Sequence, residues 1–444
     1  MNALANFFTR LIGRYLPDPL VIAFGLTFLT IGLAMVVEGA GFIQTATYWG
    51  ESFWNLLAFS MQMTVILLAG YLLAKSPPVN AALVFFVSKV EKPATAVIVA
   101  TLVGAIGSWL NWGFGLVIGT LVARELGQRV KGLHYPLVIA AAYSGFALYG
   151  IGLSGSVPLL IATEGHFLQA DIGIVPISET ILSPVLLITS LVIVLTLPLF
   201  NAWLHPKDPS KVIEAKSEAP SPAAAAAAAG DAVRSIADRM NNSPLPGIAI
   251  GLLGLVYAAN HFVTGGSLNL NIINTIFLFL GILLFASPAR YLAALGDGVT
   301  IVAGIIIQYP FYAGILGILT GSGLLVTFAQ MFVNISTPET LPIWSFLSGG
   351  LINLLAPSGG GQWAVQGPVM MGAAKEIGAS IPATALAVQI GDQWTNMIQP
   401  FWILPVLAIS GLQLRDVMGY MVLILIYLGL IFGAAVMLWG FLGL

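Results

Sequence analysis

The chain has 444 residues, 58% of them hydrophobic and only 8% charged, with a formal net charge of −2. Soluble domains carry about 25% charged residues, so this composition cannot furnish a water-facing surface, and the few dispersed basic residues do not suit nucleic acid. Cysteine is absent, which excludes disulfides, thiolate metal sites and a cysteine nucleophile.

Apolar runs of about 18 to 25 residues recur from end to end, each long enough to cross a hydrocarbon core of roughly 30 Å. The period-2 alternation of a membrane β-barrel is missing, so helices must satisfy the backbone. The expected fold class is therefore an all-α polytopic membrane protein. Its first apolar run, Leu20 to Val37, follows Arg10 and Arg14 and is too long for a signal-peptide core, so it reads as a retained span. Spanning helices are expected over 19–38, 53–74, 135–163 and 177–203 in the first half. The second half gives 247–264, 270–287, 298–320, 382–410 and 416–442, nine in all. With the N-terminus inside, fifteen of the sixteen Lys and Arg residues fall on the cytoplasmic side, leaving Lys375 alone outside. That asymmetry is what the positive-inside rule requires, and it predicts a multi-pass protein of the bacterial inner membrane.

Residues 94–123 are apolar, yet Lys89 and Lys92 precede them and Arg124, Arg129 and Lys131 follow. Two basic flanks place both ends in the cytoplasm, so the segment is expected to enter and turn back at Ser108 to Gly115 as a re-entrant hairpin. Non-helical backbone at membrane depth is tolerated only inside protein or beside a cavity. Residues 343–374 carry a second polar, glycine-rich break, Asn353 to Trp363. Each half then reads span, span, hairpin, interrupted span, span, and Gln62 and Gln308 occupy similar places in the second spans. The helix at 247–264 turns the second copy over, so the expected organisation is two inverted-topology repeats, 1–204 and 246–444. Between them, 205–245 reads as a cytoplasmic low-complexity linker whose first part is expected to be disordered, with seven alanines, Ala223 to Ala229, and a short helix from Asp231 to Met240.

Four breaks can carry chemistry: the two hairpin tips and two interrupted helices, Tyr143 to Ser156 and Gly391 to Pro400. Broken helices turn free N–H groups and positive dipole ends into the protein, where they suit anions, while freed carbonyls suit cations. The same glycines would also serve close helix packing. No Lys or Arg lies within a predicted span, so a carboxylate would depend on backbone N–H groups and neutral donors. The candidate lining is Asn111, Gly113, Ser154, Ser156, Asn353, Ser358, Gly359, Gly360, Gln362, Thr395 and Asn396. Trp112, Phe114, Trp363 and Trp394 are candidates to pack a short alkyl tail. Asp392 is the acid placed near mid-membrane, where an ionisable group is costly and becomes a functional candidate. It would carry a coupling proton or ligate Na⁺, and no cofactor beyond that coupling ion is expected.

Five strings resemble the short-chain fatty acid transporter family, associated with butyrate and acetoacetate uptake. They are Tyr15-Leu-Pro-Asp-Pro-Leu20, Phe53-Trp-Asn-Leu-Leu-Ala-Phe59, Asn111-Trp-Gly-Phe-Gly115, Ala356-Pro-Ser-Gly-Gly-Gly361 and Asp392-Gln-Trp-Thr-Asn-Met-Ile-Gln-Pro-Phe-Trp402. The family resembles a broader ion-transporter superfamily that includes sodium/dicarboxylate symporters, which implies two inverted repeats with paired hairpins. Dicarboxylate carriers there hold Ser-Asn-Thr at the hairpin tips. Here the tips read Asn111-Trp-Gly and Pro357-Ser-Gly-Gly, so only Asn111, Asn353 and Ser358 carry over, and the choice between H⁺ and Na⁺ stays open. The resemblance implies symport of a short-chain monocarboxylate. Two alternatives stand beside it: an intramembrane serine hydrolase built on Ser154 and His261, and a passive anion channel. Oligomeric state is left open by the sequence.

Overall fold

The computed structural model describes residues 19–215, 235–354 and 359–442, and among these the regular structure is wholly helical. The first half runs α1 (Pro19–Val37), α2 (Phe42–Ser52), α3 (Leu57–Lys75), α4 (Pro77–Val87), α5 (Pro93–Leu110) and α6 (Trp112–Arg129). It ends with α7 (Tyr135–Ser144), a tighter 3₁₀ turn (Gly145–Ile151), α8 (Ser156–Ile161), the short α9 (Gln169–Ile172) and α10 (Pro184–Trp203). The second half opens with α11 (Ile236–Asn242), α12 (Pro244–Val263), α13 (Leu270–Phe285), α14 (Pro288–Ser322) and α15 (Leu324–Ile335). It closes with α16 (Leu341–Asn353), α17 (Gly359–Ile377), α18 (Ile381–Thr395), α19 (Pro400–Ser410) and α20 (Leu414–Leu442).

Among the described residues, eight segments are long and apolar enough to cross a membrane. They are not the nine read from sequence. Pro93–Leu110, one arm of the first hairpin, joins the set, being about 27 Å long at 1.5 Å per residue. Leu270–Phe285 drops to a shorter apolar helix, and the run 382–410 is divided by a turn at 396–399. The run from 177 begins as a 3₁₀ turn and becomes α-helix only at Pro184, where Ser183 caps it. Helices α2, α4 and α15 were not foreseen, because each is an amphipathic or short piece without a full-length apolar run.

Burial separates core from rim. The segment Tyr135–Ile161 is 94% buried, whereas Leu20–Val37 and Pro244–Val263 are each 22% buried. The outward Phe28, Val36, Leu253 and Val256 are surface, which suits a chain whose solvent is hydrocarbon. Without a hydrophobic drive between helices in lipid, contact depends on close fit. Accordingly Tyr48, Trp49 and Ser52 of α2 press on Gly321, Gly314 and Gly317 of α14, where an added Cβ would lie 2.3–2.5 Å from them.

Helices α5 and α6 form a close antiparallel hairpin that turns at Asn111, extended at φ −154°. Its Oδ1 accepts from the Phe114 N–H at 2.9 Å and caps α6. Gly104, Gly107, Gly115 and Gly119 face one another along the seam; a Cβ on Gly115 would sit 2.0 Å from the Ser108 nitrogen. The second hairpin pairs α16 with α17. Its arms are tied by Gln362 Nε2 donating to the Gly349 carbonyl and Gln366 Nε2 donating to Ser348 Oγ, both at 2.9 Å. Its tip, 355–358, lies outside the described residues, and Ser358 with it.

The start of the interhalf linker is ordered, contrary to its disorder-prone composition. The Tyr135 N–H donates to the Ile213 carbonyl at 2.8 Å, and the Ile213 N–H donates to His134 Nδ1 at 3.0 Å. The Gly132 N–H donates to Glu214 at 2.6 Å. Composition missed this because the partners His134 and Gly132 come from the connection between α6 and α7, 79 and 82 residues earlier in the chain. Burial, helped by the neighbouring His205, lowers the His134 pKa from its ordinary 6.5 to about 4. A depressed histidine favours the docked state when neutral, so docking is complete above about pH 6.5 and weakens as pH falls towards 4. Proteolytic cleavage within 205–215 is expected to speed up across that window, and His134→Gln is expected to flatten the dependence.

Candidate functional site

The two interrupted helices meet at Asp392. α18 is capped at its start by Ser380 Oγ, which accepts from the Ala383 N–H at 3.3 Å. It ends at Thr395, before Pro400, whose missing N–H suits the first turn of a new helix. Asp392, in the last turn, is 1% exposed. Tyr149, on the 3₁₀ turn between α7 and α8, donates its hydroxyl to Asp392 Oδ1 in a very short contact. Gln389 Nε2 reaches both Tyr149 Oη at 3.1 Å and Asp392 Oδ1 at 3.4 Å, while its Oε1 accepts from the Val157 N–H at 3.2 Å. The carboxylate thus has neutral partners rather than a cation. Gly150 makes the approach feasible, since a Cβ there would lie 2.2 Å from Gln393 Oε1 and 2.5 Å from Gln389 Nε2.

A second cluster holds the end of α18. Asn353 Nδ2 faces the Asp392 carbonyl at 2.9 Å, Thr395 Oγ1 at 2.9 Å and Asn396 Oδ1 at 2.8 Å. Thr395 Oγ1 donates to the Gly350 carbonyl at 3.0 Å, and Gln399 Nε2 to the Asn353 and Leu354 carbonyls at 3.2 Å. Tyr143 Oη donates to the Asn396 carbonyl at 2.7 Å, so the first broken helix again braces the second. These bonds satisfy the carbonyls that the break frees. Asp392 Oδ2, Asn353 Oδ1, Asn396 Nδ2 and both amide atoms of Gln393 are buried without a hydrogen-bond partner among the described residues. Buried polar atoms are seldom left so, and this concentration at one break is what a binding site provides. Removing the Asn353 amide in Asn353→Ala strips partners from several buried acceptors, each worth roughly 1–3 kcal/mol. A lower melting temperature in detergent is expected, with Asn353→Ser intermediate.

The first hairpin joins here through Ser154, whose Oγ accepts from the Trp112 N–H at 2.8 Å. Trp112, Tyr149, Ser156, Met63, Tyr309, Gly359, Gly360 and Trp402 enclose a chamber of about 20 Å³, room for one water. The first turn of α17 presses into it. A Cβ on Gly359 would lie 2.7 Å from Tyr149 Oη and 3.2 Å from Asp392 Oδ1. Further along, a cavity of about 690 Å³ opens among Asn55, Phe167, Thr320, Met371 and Lys375. Its walls come from segments that the basic-residue asymmetry assigns to the outside. At its rim Lys375 pairs with Asp171 at 3.7 Å, and Gln330 holds Glu376 at 3.1 Å.

Of the residues singled out from sequence, Trp112, Ser154, Ser156, Asn353, Gly359, Gly360, Asp392, Thr395 and Asn396 are brought together here. Others are placed elsewhere. Asn111 Nδ2 donates to the Ile66 carbonyl at 3.2 Å, and Gly113 abuts Leu67, so both fasten the hairpin to α3. Phe114 is half-buried and packs in the cluster formed by Tyr71, Leu72 and Phe285. Gln362 ties the second hairpin's arms, and Trp363 is wholly buried in the core. Trp394 turns away from Asp392: it stacks on Phe346 with centroids 4.9 Å apart and donates to the Leu425 carbonyl of α20 at 2.8 Å. A tryptophan two residues along a helix from Asp392 points to another face, which explains the misplacement. Gln62 bonds Asn271 at 2.7 Å, serving the α3–α13 contact. Tyr149, Gln389 and Tyr143 were missed. Gln389 was within reach of sequence reasoning, because it lies three residues before Asp392 and so on the same helix face.

The family model for short chain fatty acid transporters matches residues 1–439. The chain belongs to the short-chain fatty acid transporter family. A relative named for short-chain fatty acid transport in Escherichia coli (strain K12) is 39% identical over 442 residues, covering 97% of this chain and 98% of that one. A second, from Haemophilus influenzae Rd, is 38% identical over 441 residues with the same coverage. Among solved structures the transporter superposes on the Alcanivorax borkumensis YdaH transporter with a TM-score of 0.65, at 16% identity, covering 96% of this chain and 99% of that one. It also matches Neisseria gonorrhoeae MtrF, of a class of antimetabolite efflux pumps, with a TM-score of 0.53 at 15% identity, covering 98% and 97%. At such identities the likeness concerns the fold. As a member of a transporter family the protein is not an enzyme, and the geometry suits that: Ser154 is spent on Trp112, while His261 bonds the Ser267 carbonyl at 2.9 Å.

Proposed function

We propose that the transporter is a secondary symporter of short-chain monocarboxylates such as butyrate or acetoacetate, coupled to H⁺ or Na⁺ at Asp392. The observation that carries this reading is a buried acid without a cationic partner among the described residues, set between two broken helices and facing the glycine-started N-terminus of α17. Positive helix ends and neutral donors suit one carboxylate, and Asp392 suits one cation. A monoanion moving with one cation is electroneutral. The membrane potential, worth about 2.3 kcal/mol per charge per 100 mV, then drops out. The matching order of elements in the two halves supports an inverted repeat with re-entrant hairpins, and the distribution of Lys and Arg supports a multi-pass inner-membrane placement with a cytoplasmic N-terminus.

A three-carbon tail contributes only about 2 kcal/mol at roughly 0.8 per methylene. Affinity for butyrate is therefore expected between micromolar and millimolar, and a nanomolar Kd would contradict the reading. The deciding experiment is uptake of labelled butyrate into proteoliposomes under a pH gradient, then under a sodium gradient, with protein-free vesicles as the leak control. Accumulation under one gradient alone identifies the coupling ion. No protein-dependent uptake under either removes the proposed substrate class.

A further inference from the structure

We infer that Phe59 is the partition between the outer cavity and the small chamber beside Tyr149, the hydrogen-bond partner of Asp392, and that its ring sets the size of acyl chain admitted. Three helices run from one space to the other. On α3 and its lead-in, Leu56 lines the outer cavity and Met63 the chamber, with Phe59 between them on the same helix face. On α14, Ala313 lines the outer cavity and Tyr309, one turn deeper, the chamber. On α17, Gly360 lines the chamber and Pro368 the outer cavity. Phe59 stands where they converge. It is 5% exposed, and its ring lies 6.2 Å from Phe167 on the outer side and 5.6 Å from Tyr309 on the inner side. A Cβ on Gly360 would come within 2.8 Å of Phe59 Cζ and 2.5 Å of Tyr309 Oη, so α17 closes against both rings.

The volumes say why the ring must move. The chamber of about 20 Å³ has no room for a four-carbon acid, whereas the outer cavity of about 690 Å³ can receive a displaced phenyl ring. Swinging Phe59 outward joins the two spaces without moving a helix. The space the ring vacates becomes the space for the alkyl tail.

Lack of native cysteine makes the test direct. Met63→Cys puts a lone thiol in the chamber and Thr320→Cys puts one in the outer cavity, to be challenged in intact cells with a membrane-impermeant maleimide. A buried thiol reacts only through its open population, so Phe59→Ala is expected to speed M63C labelling by about tenfold or more while leaving T320C unchanged. M63C labelling that is equally fast with Phe59 present, or absent after its removal while T320C still reacts, overturns the partition. T320C reactivity reports folding of each variant, and Phe59→Leu provides a milder truncation. The selectivity rests on the monocarboxylate reading above, and the hexanoate-to-butyrate uptake ratio tests it. The ratio is expected to rise several-fold in F59A and to fall in F59W, and an unchanged ratio overturns it. Should the wild type carry no monocarboxylate, the substrate proposal fails while the labelling still decides the partition.

Discussion

Asp392→Asn is expected to leave butyrate exchange intact and to abolish its accumulation against a gradient. A tenfold ion gradient is worth about 1.4 kcal/mol and supports up to about tenfold accumulation when one ion accompanies one substrate. Asparagine keeps the size of the side chain and an oxygen to accept from Tyr149 and Gln389. It cannot take up a proton or balance a sodium ion. The accumulation ratio should therefore fall to about one, while labelled-for-unlabelled exchange continues. Unchanged accumulation would remove Asp392 from the coupling role. Loss of both activities with an intact melting profile would make it part of substrate binding instead. Tyr149→Phe separates these readings further: it removes one neutral donor and leaves the carboxylate in place, so accumulation is expected to survive with an altered pH profile.

Gly115→Ala is expected to destabilise the first hairpin severely. The added Cβ would sit 2.0 Å from the backbone nitrogen of Ser108 and 2.4 Å from its Cα. No rotamer change relieves contact with backbone, so the arms of the first hairpin must part by more than an ångström. Overpacking of this kind costs about 1–3 kcal/mol or more. Here it would also pull the Trp112 N–H from Ser154 and disturb the chamber. Poor recovery of folded protein by size-exclusion chromatography is the expected result. Gly50→Ala is the control. Nothing lies within 4 Å of a Cβ there, and alanine favours an exposed helix by about 1 kcal/mol over glycine.

The membrane class, the broad placement of the spans, the hairpin turn at Asn111 and the position of Asp392 beside a helix break were legible in the sequence. All rest on local signals: apolar length, paired basic flanks, and polar or glycine residues interrupting an apolar run. Boundaries were less legible. Ser183 with Pro184, and the turn at 396–399, divide runs that hydropathy alone reads as continuous. The linker residues 205–215 looked disordered by composition because their partners, His134, Gly132 and Tyr135, are remote in sequence.

Local composition and spacing require a bundle of apolar helices with satisfied backbones, broken at four polar places, with an acid at one of them. Hydrocarbon solvent imposes that outcome locally, since length and polarity alone decide which segments can cross. Which polar groups meet is an outcome of helix packing. It set Tyr149 against Asp392 across 243 residues of chain, turned Trp394 and Asn111 away, and set the Phe59 ring between Phe167 and Tyr309. Those outcomes depend on which helix faces meet and how closely glycines let them approach, and neither is written in any one segment.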